Sequence, residues 1–220
     1  MKTQNRGPLS GIKVLDLGRV LSGPYCGMML ADMGADVIKL EMPETGDDSR
    51  YYGPFHEGVS AYFSSVNRNK RSITLNLKSE SGREIFLKLA EKSDVILENF
   101  RPGTMKKLGL DYEQVKKVNP KIIYASISGF GQTGPFAGRA AYDGIVQAMG
   151  GIMSITGEKG GKPVKVGTSV GDIIAGMFCA YGIVAAYVSL QKTGKGQYID
   201  VAMLDSQIAI LENAIVKYTV

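Results

Sequence analysis

Residues 12–41 read IKVLDLGRVLSGPYCGMMLADMGADVIKLE. Ile12 to Leu17 is a short apolar run, rich in β-branched and aliphatic side chains, and predicts a strand. Gly18 to Pro24 is a turn. Pro24 is well placed to open a helix because its φ is already helical and its missing N–H is not needed there. Tyr25 to Met33 continues that helix and Gly34 ends it. Asp36 to Glu41 predicts a second strand. A strand, a helix and a strand in this short space form a βαβ unit, and such a crossover implies a parallel sheet.

The pattern continues outward from this unit. Residues 42–59 are rich in turn formers and predict an excursion loop. Ser72 to Leu77 predicts a third strand. Ser79 to Lys92 predicts an amphipathic helix with Ile85, Phe86 and Leu89 on one face. Asp94 to Glu98 predicts a fourth strand, Asn99 to Gly103 a turn leading to a helix through Leu108, and Tyr112 to Val118 a further helix. Lys121 to Ser128 predicts a fifth strand, Gly129 to Gly138 a loop, and Tyr142 to Met149 a helix. A glycine-rich segment leads to Asp172. Ile173 to Leu190 carries no charge and predicts a long helix, followed by a strand at Gln197–Ala202 and a helix at Leu204–Val216. No repeat or low-complexity linker interrupts the order. The sequence ends inside an apolar helical pattern, Ile208 to Val220, without a cap, so a truncated chain is expected.

The 220 residues are 44% hydrophobic, which suits one domain with a real core. Cys26 and Cys179 both lie in apolar surroundings, so the expected setting is a reducing, cytoplasmic one without a disulfide framework. The polar amino terminus, MKTQNRGPLSG, carries no signal-peptide pattern. His56 is the single histidine, which leaves a histidine metal cluster or a Ser-His-Asp relay without support. The net charge of +5 suits an anionic partner but is too dispersed to demand nucleic acid. Ile173–Leu190 is long enough to enter a bilayer. Its glycines, serine, tyrosines and alanines favour a buried core helix.

The residues 166–172, VGTSVGD, deliver one carboxylate to the start of that helix. Asp172 would feel the positive end of the helix dipole and free backbone N–H groups, which favours its ionised form. An ionised carboxylate beside glycines, open to a ligand, suits a nucleophile. An ordinary N-cap is the alternative. Gly129 to Gly134 formally matches GxGxxG, but the pattern needs a helix to open at its third glycine. Pro135 follows instead, which argues against a nicotinamide or flavin site. Asn67-Arg68-Asn69-Lys70-Arg71, with Lys78 beyond the next strand, suits either phosphates or a solvated turn. Asn99 to Gly103 lies at the carboxyl end of a strand, where parallel sheets bind ligands. Phe100 could stack there on a flat ring or belong to the core.

In combination these stretches resemble the class III CoA-transferase family, of the formyl-CoA and carnitine CoA-transferase type. The matching residues are GIKVLDLGRVLSGP at 11–24, GADVIKLE at 34–41, NKRSITLNLK at 69–78, ENFRPG at 98–103, YDGIVQAMGG at 142–151 and GDIIAG at 171–176. They follow the family's order over almost the whole chain. The resemblance implies an α/β fold, a Rossmann-like parallel sheet with helices on both faces. Residues 1–220 would be the incomplete large domain of an interlocked homodimer, without the family's small domain and carboxyl-terminal return segment. It implies Asp172 as the catalytic residue. It places CoA contacts at Val20, Leu21 and Ser22, at Leu75, Asn76, Leu77 and Lys78, at Asn99, Phe100 and Arg101, at Lys107, and at Ala140, Ala141, Tyr142 and Asp143.

There are departures from the family pattern. The formyl-CoA enzymes have glutamine where this chain has Leu21, so formate or oxalate specificity is not expected. Met42 and Ala140 replace basic CoA contacts, which moves the expected phosphate contacts to Lys70, Arg71 and Lys78. Alanine at those three positions is expected to weaken CoA binding with little effect on folding.

The implied reaction moves CoA from an acyl-CoA donor to a free carboxylic acid, through an aspartyl anhydride and an aspartyl-CoA thioester. The CoA thioester is a substrate. No permanently bound cofactor, metal, nucleic acid or membrane is implied. Backbone N–H groups near Gly171 would be the oxyanion donors. Two rivals stand beside this reading. The related α-methylacyl-CoA racemases need a histidine where this chain has Ala141-Tyr142-Asp143, and a CoA-binding fragment would show no turnover.

Overall fold

The structure, a computed structural model, describes residues 7–220. The reading of the first six residues as free of a targeting signal lies outside the described residues. The first unit is β1 (Lys13–Asp16), α1 (Ser22–Asp32) and β2 (Asp36–Glu41). A 3-10 turn at Asp48–Tyr51 and a small hairpin, β3 (Phe55–His56) and β4 (Val59–Ser60), follow, then α2 (Ala61–Asn67). Next come β5 (Arg71–Thr74), α3 (Glu80–Ala90), β6 (Val95–Glu98), α4 (Thr104–Leu108), α5 (Tyr112–Val118) and β7 (Ile123–Ser128). The chain continues with α6 (Asp143–Met149), a 3-10 turn at Ile152–Ile155, α7 (Val170–Thr193), β8 (Tyr198–Ala202), α8 (Met203–Ala209) and α9 (Asn213–Thr219).

Six strands form one parallel sheet in the order β5-β2-β1-β6-β7-β8. Renumbered along the chain within this sheet, the order is that of dinucleotide-binding folds. β1 is central: Leu15 lies opposite Ile38 of β2 and Ile96 of β6. Side chains alternate between the two faces, as a strand requires. Val14, Val37, Val95, Leu97, Ile123 and Ala125 meet Cys26 and Leu30 of α1 and Cys179, Ala180 and Ile183 of α7. Leu15, Leu40, Ile96 and Tyr124 meet Phe86 of α3, Met105 of α4 and Val115 of α5. The expected α/β fold with helices on both faces is therefore what forms.

Several local expectations change. The 42–59 excursion holds a 3-10 turn and a hairpin, and is followed by α2. β5 ends at Thr74, and Leu75–Lys78 turn away towards α3. Ile85 is 47% exposed, so the buried face of α3 runs through Phe86 and Ala90. The last helix breaks at Ile210–Glu212. α7 is long and apolar enough to cross a membrane by composition, yet one of its faces is core. Its other face leaves Met177, Phe178, Tyr181 and Val188 exposed.

The basic cluster also changes its meaning. Lys70 is not a surface cation. Its side chain is 1% exposed and its ammonium pairs with Asp16 at 2.8 Å. It also donates to the Pro24 carbonyl at 2.8 Å and to Asn67 Oδ1 at 2.9 Å. Burial pushes its pKa down, against the pull of Asp16. Removing one partner of a buried pair leaves an uncompensated charge. Lys70→Ala is therefore expected to lower stability by about 3–5 kcal/mol, read from the urea midpoint. A midpoint within error of the parent's would refute the structural role.

Candidate active site

The crevice of a parallel sheet opens where successive connections leave to opposite faces. Here that point lies between β1 and β6. α1 packs on one face with α7, and α4 packs on the other with α3 and α5. A cleft of about 410 Å³ opens there, at the carboxyl ends of the strands. Val20, Leu21, Ser22, Asn99, Phe100 and Arg101 line it from the two central turns. Ala140, Ala141 and Tyr142 line its far wall, and Asp172 reaches it from the start of α7. A second cleft of about 290 Å³ adjoins it and is lined by Leu75, Asn76, Leu77 and Lys78. The two share Arg19, Phe100 and Thr104 as a common wall.

Four expected contacts are not brought to either cleft. Lys70 is committed to Asp16. Arg71 is at the amino end of β5, the opposite end of the sheet, and forms a two-pronged pair with Asp36. Lys107 is exposed on α4, and Asp143 is buried behind the cleft. His56 is exposed on the hairpin and lines neither cleft. The acid–base histidine that a racemase requires is not beside Asp172.

The β1–α1 turn is clasped from several sides. Asn99 accepts from the Arg19 amide at 2.8 Å. Its Nδ2 donates to the Arg19 carbonyl at 2.9 Å and to Ser22 Oγ at 3.0 Å. Lys39 Nζ donates to the Gly18 carbonyl at 2.6 Å and pairs with Asp47 at 2.7 Å. Asp47 Oδ1 in turn accepts from the Val20 amide at 3.1 Å. Burial acts to raise the Asp47 carboxyl, but Lys39 together with the Ser49 and Val20 amides outweighs it and the pKa lies below the usual range. These bonds hold Val20 at a φ of 63°, a costly conformation for a β-branched residue.

Asp172 does not cap α7. Ser169 occupies the N-cap position, without a side-chain cap bond, and Asp172 is in the first turn. Its pKa is pushed up to about 6, first by burial and then by Asp143, while the Ser22 hydroxyl and Lys165 act in the other direction. Close contact between α1 and α7 brings Ser22 near: a Cβ on Gly176 would lie 2.8 Å from the Ser22 carbonyl. The Gly171 amide, expected as an oxyanion donor, instead donates to Asp143 Oδ1 at 2.9 Å. The residues after Gly129 form no helix until Asp143, so the GxGxxG match has no helix start behind it. Among the described residues no cluster of potential metal ligands occurs.

Sequence reading missed Arg19, Asp48 and Arg139, which line the larger cleft, and Lys39, Glu41 and Asp47, which line the smaller. Arg19 follows β1 and Glu41 ends β2, both at the carboxyl edge of the sheet, a signal that could have marked them. Arg139 stacks on Phe136 with its guanidinium 4.4 Å from the ring centre, a contact within one loop turn that no motif marked.

Comparison with known proteins places this geometry in context. The chain is 52% identical over 215 residues to an acetyl-CoA:oxalate CoA-transferase of Acetobacter aceti, covering 97% of this chain and 55% of that protein. It is 50% identical over 220 residues to a succinate–glutarate CoA-transferase of Agrobacterium fabrum, again covering 97% of this chain and 55% of the relative. The chain thus spans about half the length of these curated relatives. The crystal structure of a CAIB/BAIF family protein from Brucella suis superposes with a TM-score of 0.93 at 48% identity, covering 97% of this chain and 57% of that one. The model of CoA-transferase family III matches residues 9–220, and the chain belongs to that family.

Proposed function

We propose that this chain carries the nucleophile and the CoA-binding part of an enzyme that moves CoA from an acyl-CoA to a free carboxylic acid. The observation that carries the reading is Asp172: a half-buried carboxylate at the switch-point cleft, beside Ser22, with a pKa near 6. At neutral pH such a group is mostly ionised and more basic than a solvated aspartate. The adenosine and phosphates of CoA fit the smaller cleft, with Lys78 at its rim. The thioester fits the larger one.

In the proposed cycle the Asp172 carboxylate attacks the thioester carbonyl. The C–S bond breaks, giving a mixed anhydride and CoA thiolate. The thiolate attacks the aspartyl carbonyl and releases the donor acid, leaving an aspartyl-CoA thioester. The acceptor carboxylate then displaces the thiolate to form its own anhydride with Asp172. The thiolate attacks the acceptor carbonyl, forms the new thioester and restores the carboxylate. The acyl bond stays activated throughout, so the cycle requires no nucleotide hydrolysis.

The acceptor is proposed to be a dicarboxylic acid longer than oxalate. Arg19, Arg101 and Arg139 line the larger cleft, and of the two relatives above the one from Agrobacterium fabrum is named for succinate and glutarate while the other is named for oxalate. Leu21 brings an isobutyl group to the wall, where a small, fully charged diacid gains little. A panel of acids should show glutarate or succinate ahead of oxalate. Faster transfer to oxalate would overturn this order. The exposed apolar face of α7 supports the expected homodimer. Sedimentation should show more than a monomer, and a monodisperse monomer would refute it.

Asp172→Asn decides the mechanism, with the adduct read by mass spectrometry. In the full-length enzyme, acyl-CoA without acceptor should leave a hydroxylamine-sensitive CoA adduct on the Asp172 peptide of the parent and none on the amide variant. A normal adduct on Asp172→Asn would falsify the nucleophile. Lys78→Ala should weaken CoA binding severalfold with an unchanged melting curve, because its side chain is exposed. Unchanged affinity would remove Lys78 from the phosphate site.

A further inference from the structure

The start of α7 is tied down more heavily than a helix terminus needs. Asp143, the first residue of α6, is 6% exposed. Its Oδ1 accepts from the Gly171 amide at 2.9 Å and its Oδ2 from Gln147 Nε2 at 2.8 Å. Lys165 Nζ pairs with the same Oδ2 at 3.0 Å. Gln147, wholly buried, accepts from the Val166 amide at 2.9 Å and donates to the Thr168 carbonyl at 3.2 Å. Two side chains one helical turn apart thus hold three backbone points of the segment that delivers Asp172. Glycine makes the approach possible: a Cβ on Gly171 would lie 3.2 Å from Val146 Cγ1 and 3.3 Å from Asp143 Oδ1.

We propose that Asp143, Gln147 and Lys165 form a charge-compensated clamp that positions the 166–171 turn and sets the charge beside Asp172. Asp143 is then a positioning residue behind the nucleophile and not a CoA contact. The inference rests on the reading of Asp172 as nucleophile. The physical need is plain. A carboxylate behind a second, half-buried carboxylate raises that neighbour's pKa unless a cation offsets it. Lys165, with a side chain 43% exposed, supplies the cation from the solvent side. The other groups around Asp172 do not substitute for it. Ser22 of α1 offers a neutral hydroxyl. Tyr62 of α2 stays neutral, its phenol pushed up to about 12 by burial and then by the charge of Asp172. Arg19 is paired with Asp48 at 2.7 Å, and Arg101 and Arg139 line the cleft side, where substrate anions would engage them.

The test is a carbon-13 NMR titration of the Asp172 carboxyl in the chain described here. Lys165→Met removes the compensating cation and should move the midpoint up by about one pH unit, while Asp143→Asn removes the anion and should move it down by a similar amount. Gln147→Leu removes the clamp without changing charge. It should leave the midpoint in place and slow adduct formation severalfold. Midpoints that stay fixed, or that move the same way in both charge variants, overturn the charge role. An unchanged adduct rate in Gln147→Leu overturns the positioning role. If Asp143→Asn does not fold, Lys165→Met decides alone, since its side chain is half-exposed. An adduct on Asp172→Asn would instead sink the nucleophile, with the titration still readable.

Discussion

Two buried ammonium groups hold the turn on which everything else depends. Lys39 and Lys70 each have a side chain 1% exposed; Lys39 ends on Asp47 and on the Gly18 carbonyl of the β1–α1 turn, and Lys70 on Asp16 of β1 and on the Pro24 carbonyl in the first turn of α1. An ammonium taken from water is costly unless its partners are complete. Here the completed bonds are also what keeps Val20 in a conformation that a free valine avoids. Because the turn is fixed, Ser22 and the Arg19 backbone stand where Asn99 can grasp them from β6's end, and α1 presents a close surface to α7.

The buried carboxyls show how partners, rather than burial alone, decide charge. Burial acts to raise all of them. Glu41 nevertheless falls to about 2, because Arg50, Ser72 and the Asp47 amide outweigh that effect. Glu98 has only the Ser126 hydroxyl and the Phe100 amide, and is pushed up to about 7. Asp172 lies between these cases. Its hydroxyl and its distant cation offset part of the burial and the repulsion from Asp143. A carboxylate poised in this way is mostly ionised in neutral water yet more basic than a solvated aspartate.

Much of this was readable from residue order. The alternation of strand and helix patterns from Ile12 to Glu41 implied the parallel sheet, and the sheet order then placed a crevice beyond Leu17 and Glu98. The contacts expected at 20–22, 75–78 and 99–101 lie on turns that follow strands and line the two clefts, where topology also places a ligand. The failures share one cause. Lys70, Arg71, Lys107 and Asp143 are charged residues, and charge alone does not say whether a side chain faces solvent, a cleft or a buried partner. Lys70 finds Asp16, 54 positions away. Arg71 is at the wrong end of its strand. Asp143 is recruited by a backbone amide 28 positions on. Such pairings belong to packing, not to local pattern.

The close seating of α7 on α1 at Gly176 separates two kinds of change open to this protein over evolutionary time. The carboxylate belongs to a core helix start, wedged by backbone contact and clamped from α6, so it tolerates little drift. The walls that would meet an acyl group come from Arg19–Ser22 and from the 129–142 loop, and Ala140 and Tyr142 of that loop are exposed. Substitutions on the loop can reshape selectivity without touching the sheet. Under the proposed function, a scaffold divided this way would diversify its substrates while conserving its chemistry, and a designer seeking a new acid would vary residues 132–142 and leave α7 unchanged.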